Sequence, residues 1–403
     1  MGKNMANYKL VTPEGTKDYL FNEVTLRNKI TDKFRNLFYN HSYHEVITPG
    51  LEYLDVFLAK GHGLPIEDLY KLVDNHGRLM VLRPDSTTPI ARLCATRLKE
   101  EELPLRLFYN QSVYSLTEQN RGHSNEVRQA GIELIGDGSK RADLEVLYLA
   151  IQALEELAPC KFRIEIGHIG IYNSLIEQLN LDEETQEEIR SCIESKNYPA
   201  LNERLDKLEY SPGIEVIKRL PGLFGEEVFD EALDLIKDEK TLDIIEYLKK
   251  IYVSLKQLNT VGTITVDFGI VNKKDYYTGI VFKGYLEDFA GEDVLSGGRY
   301  DNLLGYFGKE AEAVGFSINI DVATRVLLDR NRKKNGADIL LLPKKGYEIE
   351  AFHHMKELAG KYVVEQSLNK TIEKSLAYAK ERGIPFLEIV GSEIERMEVT
   401  KQS

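Results

Sequence analysis

Two neighbouring stretches in the last third of the chain decide the fold: Asp275-Tyr276-Tyr277-Thr278-Gly279-Ile280-Val281-Phe282 and Ser296-Gly297-Gly298-Arg299-Tyr300-Asp301. Both combine residues that favour strands with glycines that let neighbouring backbones approach closely. The first stretch predicts a strand from Tyr276 to Tyr285, with the two adjacent tyrosines on opposite faces. One phenol would then meet a pocket while the other packs. Arg299 and Asp301 fit a structural role better than a catalytic one.

A strand upstream of these stretches carries polar residues on one face. It reads Val127-Arg128-Gln129-Ala130-Gly131-Ile132-Glu133-Leu134. Strand alternation places Gln129, Gly131 and Glu133 together. A carboxamide and a carboxylate suit a ligand with cationic or donor groups, and Gly131 would leave room for that ligand. A polar side that faces solvent is the alternative, but such a face rarely needs a glycine, so we favour a pocket.

A third polar segment follows a predicted strand that ends at Pro84. It reads Arg83-Pro84-Asp85-Ser86-Thr87-Thr88. A helix is predicted to begin near Ser86, so either Asp85 or Ser86 would cap it. Capping alone and a ligand role for Asp85 are both consistent with this pattern.

Strands and helices alternate around these segments. A stripe of Leu26, Ile30, Phe34 and Phe38 predicts a helix over about residues 22–40. The further predictions are a hairpin of 70–73 with 79–82, strands over 105–109, 113–116 and 126–135, and a helix over about 141–157. An antiparallel sheet covered by helices, an α+β fold, accounts for this order.

The middle and the end of the chain differ in composition from this block. Charged segments rich in Leu and Ile predict a helical insertion at about residues 171–260. Strands return over 262–268 and 313–318. A cluster of Arg330, Arg332, Lys333 and Lys334 then precedes an apolar run at 338–342, which predicts a linker. We therefore expect a core domain at 1–330 and a small α/β domain at 331–403.

Composition excludes several classes of protein. The 403 residues are 42% hydrophobic and 29% charged, as in globular proteins, and no apolar run reaches the roughly 18 residues of a membrane helix. The net charge of -13 disfavours general nucleic-acid binding. Three scattered cysteines and an N-terminus without a signal-like stretch indicate a cytoplasmic protein. Neither a metal site nor a cofactor is expected, since His41 and His44 have no third ligand in view.

Taken together and in this order, the segments resemble the histidyl-tRNA synthetase-like group of the class II aminoacyl-tRNA synthetase fold, over about residues 8–330. The resemblance implies a histidine pocket. Its ammonium contacts would be Asp85, Thr87 and Gln129, and its imidazole contacts would be Glu133 and Tyr276 or Tyr277. The chemistry agrees, because a carboxylate neutralises the ammonium while a carboxylate and a phenol satisfy both ring nitrogens.

Departures from the synthetases concern the handling of ATP. The synthetases place arginines at three positions that here read Ser115, Asn272 and Val322. Forming an adenylate needs such cations around the phosphates. Rescue by Lys273 or Arg121 is disfavoured, since a flexible Lys does not reproduce Arg geometry. From Ile339 only about 65 residues remain, fewer than the anticodon-binding domain of a synthetase, so no tRNA partner is expected.

A histidine pocket without those arginines resembles the regulatory subunits of ATP phosphoribosyltransferase. The Arg83-Pro84-Asp85 start, where synthetases tend to have Arg-Pro-Glu, points the same way. That family implies a non-catalytic homodimer that joins a short-form catalytic subunit in a hetero-oligomer. It also implies histidine as the effector that inhibits the first step of histidine biosynthesis. An active histidyl-tRNA synthetase with relocated cations and a stand-alone sensor with another partner are the alternatives.

Overall fold

The computed structural model describes residues 8–58, 65–116, 124–158, 161–271, 276–287, 292–330 and 336–399, with backbone alone at 329 and 330. Several residues singled out above lie outside these ranges: Arg121, Asn272, Lys273, Asp275 and the basic residues at 332–334. The chain divides into two compact units, Met1–Tyr19 with Glu23–Leu328 and Leu20–Asn22 with Asp329–Ser403.

The first unit is built on a nine-stranded sheet with the order β1-β5-β6-β12-β11-β10-β7-β9-β8. A separate three-stranded sheet has the order β2-β4-β3. The large sheet is antiparallel except at the β1–β5 and β7–β9 pairs, which confirms the predicted fold class. The strands are β1 (His44–Glu45), β2 (Leu51–Tyr53), β3 (Lys71–Val73), β4 (Leu79–Leu82), β5 (Leu105–Tyr114), β6 (Glu126–Ile135), β7 (Phe162–His168), β8 (Phe224–Gly225), β9 (Thr263–Asp267), β10 (Ile280–Leu286), β11 (Leu295–Arg299) and β12 (Ala313–Asn319).

Helices cover this sheet and fill the insertion. They are α1 (Asn22–Asn40), α2 (Thr87–Thr96), α3 (Lys140–Leu157), α4 (Ile169–Glu177), α5 (Glu183–Glu194), α6 (Tyr198–Leu205), α7 (Pro212–Arg219), α8 (Val228–Leu235), α9 (Glu239–Lys256) and α10 (Ile320–Arg330). No described helix is long and apolar enough to cross a bilayer.

The first helix has the predicted bounds because its apolar stripe faces the core. Ile30, Phe34 and Phe38 are buried, and the Phe38 ring lies 5.8 Å from that of Phe108 on β5 and 6.0 Å from that of Phe316 on β12. The predicted hairpin is also confirmed as the antiparallel β3–β4 pair. In its turn, Asp74 Oδ1 accepts hydrogen bonds from the backbone N–H groups of His76 and Arg78.

One strand prediction was wrong. Residues 105–109 and 113–116 were expected to form two strands, but β5 continues from Leu105 to Tyr114. Its ladder with β6 is unbroken from the Leu105–Ile135 pair to the Tyr114–Glu126 pair. The polar residues Asn110, Gln111 and Ser112 continue the strand, because the backbone hydrogen bonds of a ladder do not depend on the side chains.

Two proline-containing segments of the insertion are the starts of helices. Asn197 and Ser211 are N-caps whose side chains accept hydrogen bonds from the N–H groups of Ala200 and Gly213. Pro199 and Pro212 follow directly in the first helical turn, where proline is tolerated because its missing N–H has no partner there in any case. The Pro-containing segments therefore separate short helices.

The second unit is a small α/β fold. Its sheet has the order β14-β13-β15-β16, with β16 antiparallel and the other pairs parallel. Leu340, Leu387 and Ile389 are in its buried core. Its elements are β13 (Ile339–Pro343), α11 (Glu348–Leu358), β14 (Val364–Gln366), α12 (Ile372–Arg382), β15 (Phe386–Val390) and β16 (Ile394–Glu398).

Candidate functional site

A single pocket in the first unit brings together all six residues that the sequence singled out. The pocket is narrow and partly open to solvent. The start of α2, the middle of β6, the residues just before β10, and strands β11 and β12 form its walls. The described lining residues are Asp85, Ser86, Thr87, Tyr109, Gln129, Glu133, Tyr276, Tyr277, Ser296, Tyr300, Gly315, Phe316 and Ser317.

Asp85 stands at the N-terminus of α2 and caps it. Its Oδ1 accepts a hydrogen bond of 2.8 Å from the N–H of Thr88, and its Oδ2 accepts one of 3.2 Å from the Thr88 hydroxyl. The capping prediction is therefore confirmed for Asp85, whereas the side chain of Ser86 makes no such bond. Each carboxylate oxygen can accept a further hydrogen bond, so the cap leaves acceptor capacity for a ligand.

Gln129 and Glu133 share one face of β6, as strand alternation predicted, and both line the pocket. The role expected for Gly131 was wrong. A Cβ atom there would lie 2.2 Å from the carbonyl oxygen of Phe316 and 2.5 Å from the hydroxyl of Tyr109. The glycine thus makes room for a neighbouring strand and a tyrosine rather than directly for a ligand.

Glu133 is the most enclosed acceptor of the pocket, at 1% exposure. The Thr87 hydroxyl donates to its Oε1 at 2.8 Å, and the Tyr300 hydroxyl donates to its Oε2. Gly315 on β12 accommodates this carboxylate, since a Cβ atom would lie 1.9 Å from Oε2. The carboxylate is therefore held in one orientation before any ligand arrives.

The paired tyrosines do not lie on a strand, which corrects the prediction of one ring on each face. Strand β10 begins at Ile280, so Tyr276 and Tyr277 precede its ladder. Both residues line the same pocket, with ring centroids 4.9 Å apart. Alternation does not apply outside a ladder, and that is why the expectation failed.

The buried tyrosines keep their protons. Burial, followed by the nearby carboxylates of Asp85 and Glu133, raises the pKa of Tyr276 well above its usual value. Burial and Glu133 do the same to the pKa of Tyr109 and of Tyr300. Each phenol is consequently a neutral group that can donate one hydrogen bond and accept others.

The charge of the pocket is negative. Asp85 and Glu133 contribute carboxylates, and none of the described lining residues is basic. Such a pocket attracts a cation or a ligand rich in donors, and it repels phosphate groups. It could hold an ammonium group near Asp85 and a ring N–H near Glu133.

The sequence comparisons show the family of the chain. The family model for histidyl-tRNA synthetase matches residues 15–323. An ATP phosphoribosyltransferase regulatory subunit of Clostridium botulinum is 38% identical over 390 residues, or 95% of this chain and 92% of the relative. The chain belongs to the family of ATP phosphoribosyltransferase regulatory subunits.

Solved structures place this regulatory-subunit family on the synthetase fold. A protein of Bacillus halodurans, described as an ATP phosphoribosyltransferase regulatory subunit/histidyl-tRNA synthetase, has a TM-score of 0.80 at 31% identity, covering 92% of this chain and 96% of its own. A histidyl-tRNA synthetase of Nostoc has a TM-score of 0.79 at 21% identity, covering 96% of this chain and 97% of its own. At that identity the second likeness concerns the fold alone.

The resemblance to synthetases marks three positions at which they carry arginine. The structure of this chain describes two of them. Ser115 follows β5, and its N–H donates to the carbonyl of Asn125. Val322 is buried in α10 at 1% exposure. Neither side chain carries a charge that could meet a phosphate. The third position, Asn272, lies outside the described residues.

Sequence reasoning missed Tyr300 and Tyr109. Tyr300 belongs to the Gly-Gly-Arg-Tyr-Asp stretch, and its neighbour Arg299 forms a buried ion pair with Asp143 at 2.6 Å and a partly exposed one with Asp301 at 3.0 Å. These contacts give Arg299 the structural role that the sequence indicated. Tyr109 lies directly opposite Gly131 in the β5–β6 ladder. That register was the signal that could have found it, because paired residues share a face.

Proposed function

We propose that this chain is a non-catalytic regulatory subunit of ATP phosphoribosyltransferase. In this proposal it binds histidine and confers feedback control on the first step of histidine biosynthesis. The observation that carries it is the acidic pocket, in which Asp85, Thr87, Gln129, Glu133, Tyr276 and Tyr277 meet. The names of the relatives support the regulatory role.

Histidine matches the pocket group by group. Its ammonium would be neutralised by Asp85 and would donate to the oxygens of Gln129 and Thr87. Its imidazole would donate one N–H to Glu133, and its other ring nitrogen would accept from a tyrosine hydroxyl. Glu133 already accepts from Thr87 and Tyr300, so its position is set in advance and little ordering is left for the ligand to impose.

The synthetase alternative needs cations that the described positions do not provide. Adenylate formation develops charge on the α-phosphate and on pyrophosphate. The pocket offers carboxylates, and Ser115 and Val322 replace arginines. Absence of histidine-dependent pyrophosphate exchange into ATP is the expected result, and robust exchange would refute a non-catalytic role.

We propose that the chain acts in the cytoplasm as a homodimer within a hetero-oligomer that contains the short-form catalytic subunit, without a tRNA partner. An apolar outer face of the three-stranded sheet supports self-association. Leu51 and Tyr53 on β2 and Leu72 on β3 are 45%, 44% and 40% exposed there. Exposed contiguous apolar surface of this kind is typical of protein interfaces.

The deciding experiment measures phosphoribosyl-ATP formation by the short catalytic subunit, with and without this chain, across a histidine titration. Stimulation by the chain, and inhibition by histidine only in the mixture, are expected. Histidine must bind one state of the complex more tightly than another, since equal affinities would shift nothing. If the chain changes neither the rate nor the sensitivity to histidine, the proposal fails.

A further inference from the structure

One polar side chain of the acidic pocket has no hydrogen-bond partner among the described residues. Ser86 lines the pocket at the start of α2, between Asp85 and Thr87, and it is 1% exposed. Its Oγ atom is buried and forms no hydrogen bond with any described residue. Buried polar atoms without a partner are uncommon and costly, because the group gives up its hydrogen bonds to water. The hydroxyl therefore calls for a partner from outside the described chain.

Capping of α2 does not account for this hydroxyl. An N-cap side chain accepts from the N–H of the second or third residue of the helix, which here are Thr88 and Pro89. The N–H of Thr88 already donates to Oδ1 of Asp85 at 2.8 Å, and a proline has no N–H to offer. The side chain of Ser86 accordingly makes no capping bond. Its hydroxyl is left for the space inside the pocket.

The other serines of the pocket differ in their burial. Ser296 on β11 and Ser317 on β12 lie opposite each other in the ladder between these strands. Both are half-buried, so water can reach them and satisfy their hydroxyl groups. Ser86 has lost that access, and a bound ligand is the partner that its position in the pocket allows.

The ammonium and imidazole contacts proposed for histidine leave its α-carboxylate without a donor. The pocket holds the carboxylates of Asp85 and Glu133, and none of the described lining residues is basic. The α-carboxylate and the ammonium share one carbon atom, so an ammonium held by Asp85 and Thr87 brings the carboxylate close to the residue between them. The N-terminus of α2 also carries a partial positive charge, which favours an anionic group there.

We propose that the hydroxyl of Ser86 donates a hydrogen bond to the α-carboxylate of bound histidine. The residue thereby raises the preference of the pocket for an amino acid over an imidazole amine that lacks the carboxylate. A hydrogen bond to a charged acceptor is about twice as strong as one between neutral groups. A ligand without the carboxylate leaves the buried hydroxyl unpaired, and a site built for a hydrogen bond discriminates against such an analogue. This inference rests on the proposed function, since it assumes that histidine occupies the pocket.

The test titrates L-histidine and histamine, which lacks only the carboxylate, into the full chain by calorimetry. Ser86→Ala should weaken histidine binding by about tenfold and leave histamine binding unchanged. Its thermal stability without ligand should not fall, because the substitution removes an unpaired hydroxyl and no capping bond. Ser139→Ala is the matched control, since Ser139 is the N-cap of α3, makes no capping bond and is not among the pocket residues. Its histidine affinity should equal that of the wild type.

The possible failures of this proposal can be told apart. Unchanged histidine affinity in Ser86→Ala overturns the role of the hydroxyl while the histidine site itself stands. An equal loss of affinity for histidine and for histamine also overturns it, because the hydroxyl would then contact the ammonium or the imidazole. If the wild type binds no histidine, the proposed function fails and this inference fails with it. A wild type that binds histidine but not histamine supports the proposal if Ser86→Ala still weakens histidine binding.

Discussion

Glu133 joins three parts of the pocket at one carboxylate. Thr87 from the start of α2 and Tyr300 after β11 each donate to one of its oxygens. The carboxylate is 1% exposed, so any further donor that reaches it is also removed from water. Hydrogen bonds to a charged group in such surroundings are about twice as strong as neutral ones. The residue is for this reason the sharpest test of the proposed histidine site.

Replacing Glu133 with Gln should weaken histidine binding. The amide keeps one acceptor oxygen but loses the charge, which removes about 1.5–3 kcal/mol and raises the dissociation constant roughly 10- to 100-fold. Calorimetric titration of histidine into the full chain measures this. Thermal stability should not fall, because a neutral amide is easier to bury than a carboxylate. Glu203→Gln, at an exposed glutamate of α6 paired with Lys207, is the control. Unchanged histidine affinity in Glu133→Gln would contradict the site assignment.

Asp267, at the end of β9, lies outside the pocket and sets a pH dependence of stability. Burial, opposed by a hydrogen bond from the N–H of Gly269, raises its pKa from 3.8 to about 6. Between these two values the folded chain keeps the proton while the unfolded chain releases it. Stability contributed by this group is therefore present at low pH and is lost as pH rises to about 6.

Asp267→Asn should remove that loss. The amide oxygen still accepts from Gly269, so the variant should match the wild type near pH 4 and exceed its stability at pH 7 by up to about 3 kcal/mol. Thermal unfolding across this range, with the exposed Asp234→Asn on α8 as a control, measures the difference. A constant gap between variant and wild type at all pH values would argue against this titration.

Among the helices, α2 begins next to a residue that caps the helix and also lines the pocket. Asp85 caps the helix through Thr88, and it also lines the pocket, so its two roles need to be separated. Asp85→Asn keeps a good capping residue and should leave stability unchanged, yet weaken histidine binding at least about tenfold through the lost charge. Asp85→Ala should in addition lose about 1 kcal/mol of stability. Unfolding curves and histidine titrations of both variants separate the effects.

A cap in the insertion provides the comparison. Asp182 caps α5 by accepting from the N–H of Thr185 at 2.9 Å, and it is not among the pocket residues. Asp182→Ala should cost about the same stability as Asp85→Ala and leave histidine affinity intact. If Asp85→Asn binds histidine as tightly as the wild type, capping alone explains Asp85.

The sequence predicts an element correctly where the pattern of neighbouring residues determines the local structure. Helix α1 was predictable because its stripe of Ile30, Phe34 and Phe38 repeats at helical spacing, and β6 because its faces alternate. The placement of Tyr276 and Tyr277 was not, since these residues precede the ladder of β10. Tyr300 was missed because its contact with Glu133 joins residues 167 positions apart, and no local pattern reports such a contact.

At the scale of the whole molecule, the pocket draws its walls from residues between Asp85 and Ser317 of the first unit. Residues on or next to four strands of the large sheet, β5, β6, β11 and β12, line it together with the N-terminus of α2. Binding energy in the pocket is thus available to favour one arrangement of these elements over another. Such coupling is what a regulatory subunit needs, and thermodynamics requires it to act in both directions.

If histidine inhibits the complex by lowering its affinity for the substrates of the catalytic subunit, those substrates must in turn lower the affinity of the complex for histidine. Saturating ATP and phosphoribosyl pyrophosphate should then weaken histidine binding to the complex by roughly 5- to 150-fold, which corresponds to a coupling of about 1–3 kcal/mol. Histidine titrations of the assembled complex, with and without a non-reacting pair of substrate analogues, measure the factor directly. The complex containing Glu133→Gln should assemble normally but remain active in histidine. Equal histidine affinity with and without the analogues, together with full inhibition of the rate, would show that the substrates bind both states equally. Histidine would then act by favouring a state with a lower turnover rate, since reciprocity holds for binding and not for turnover.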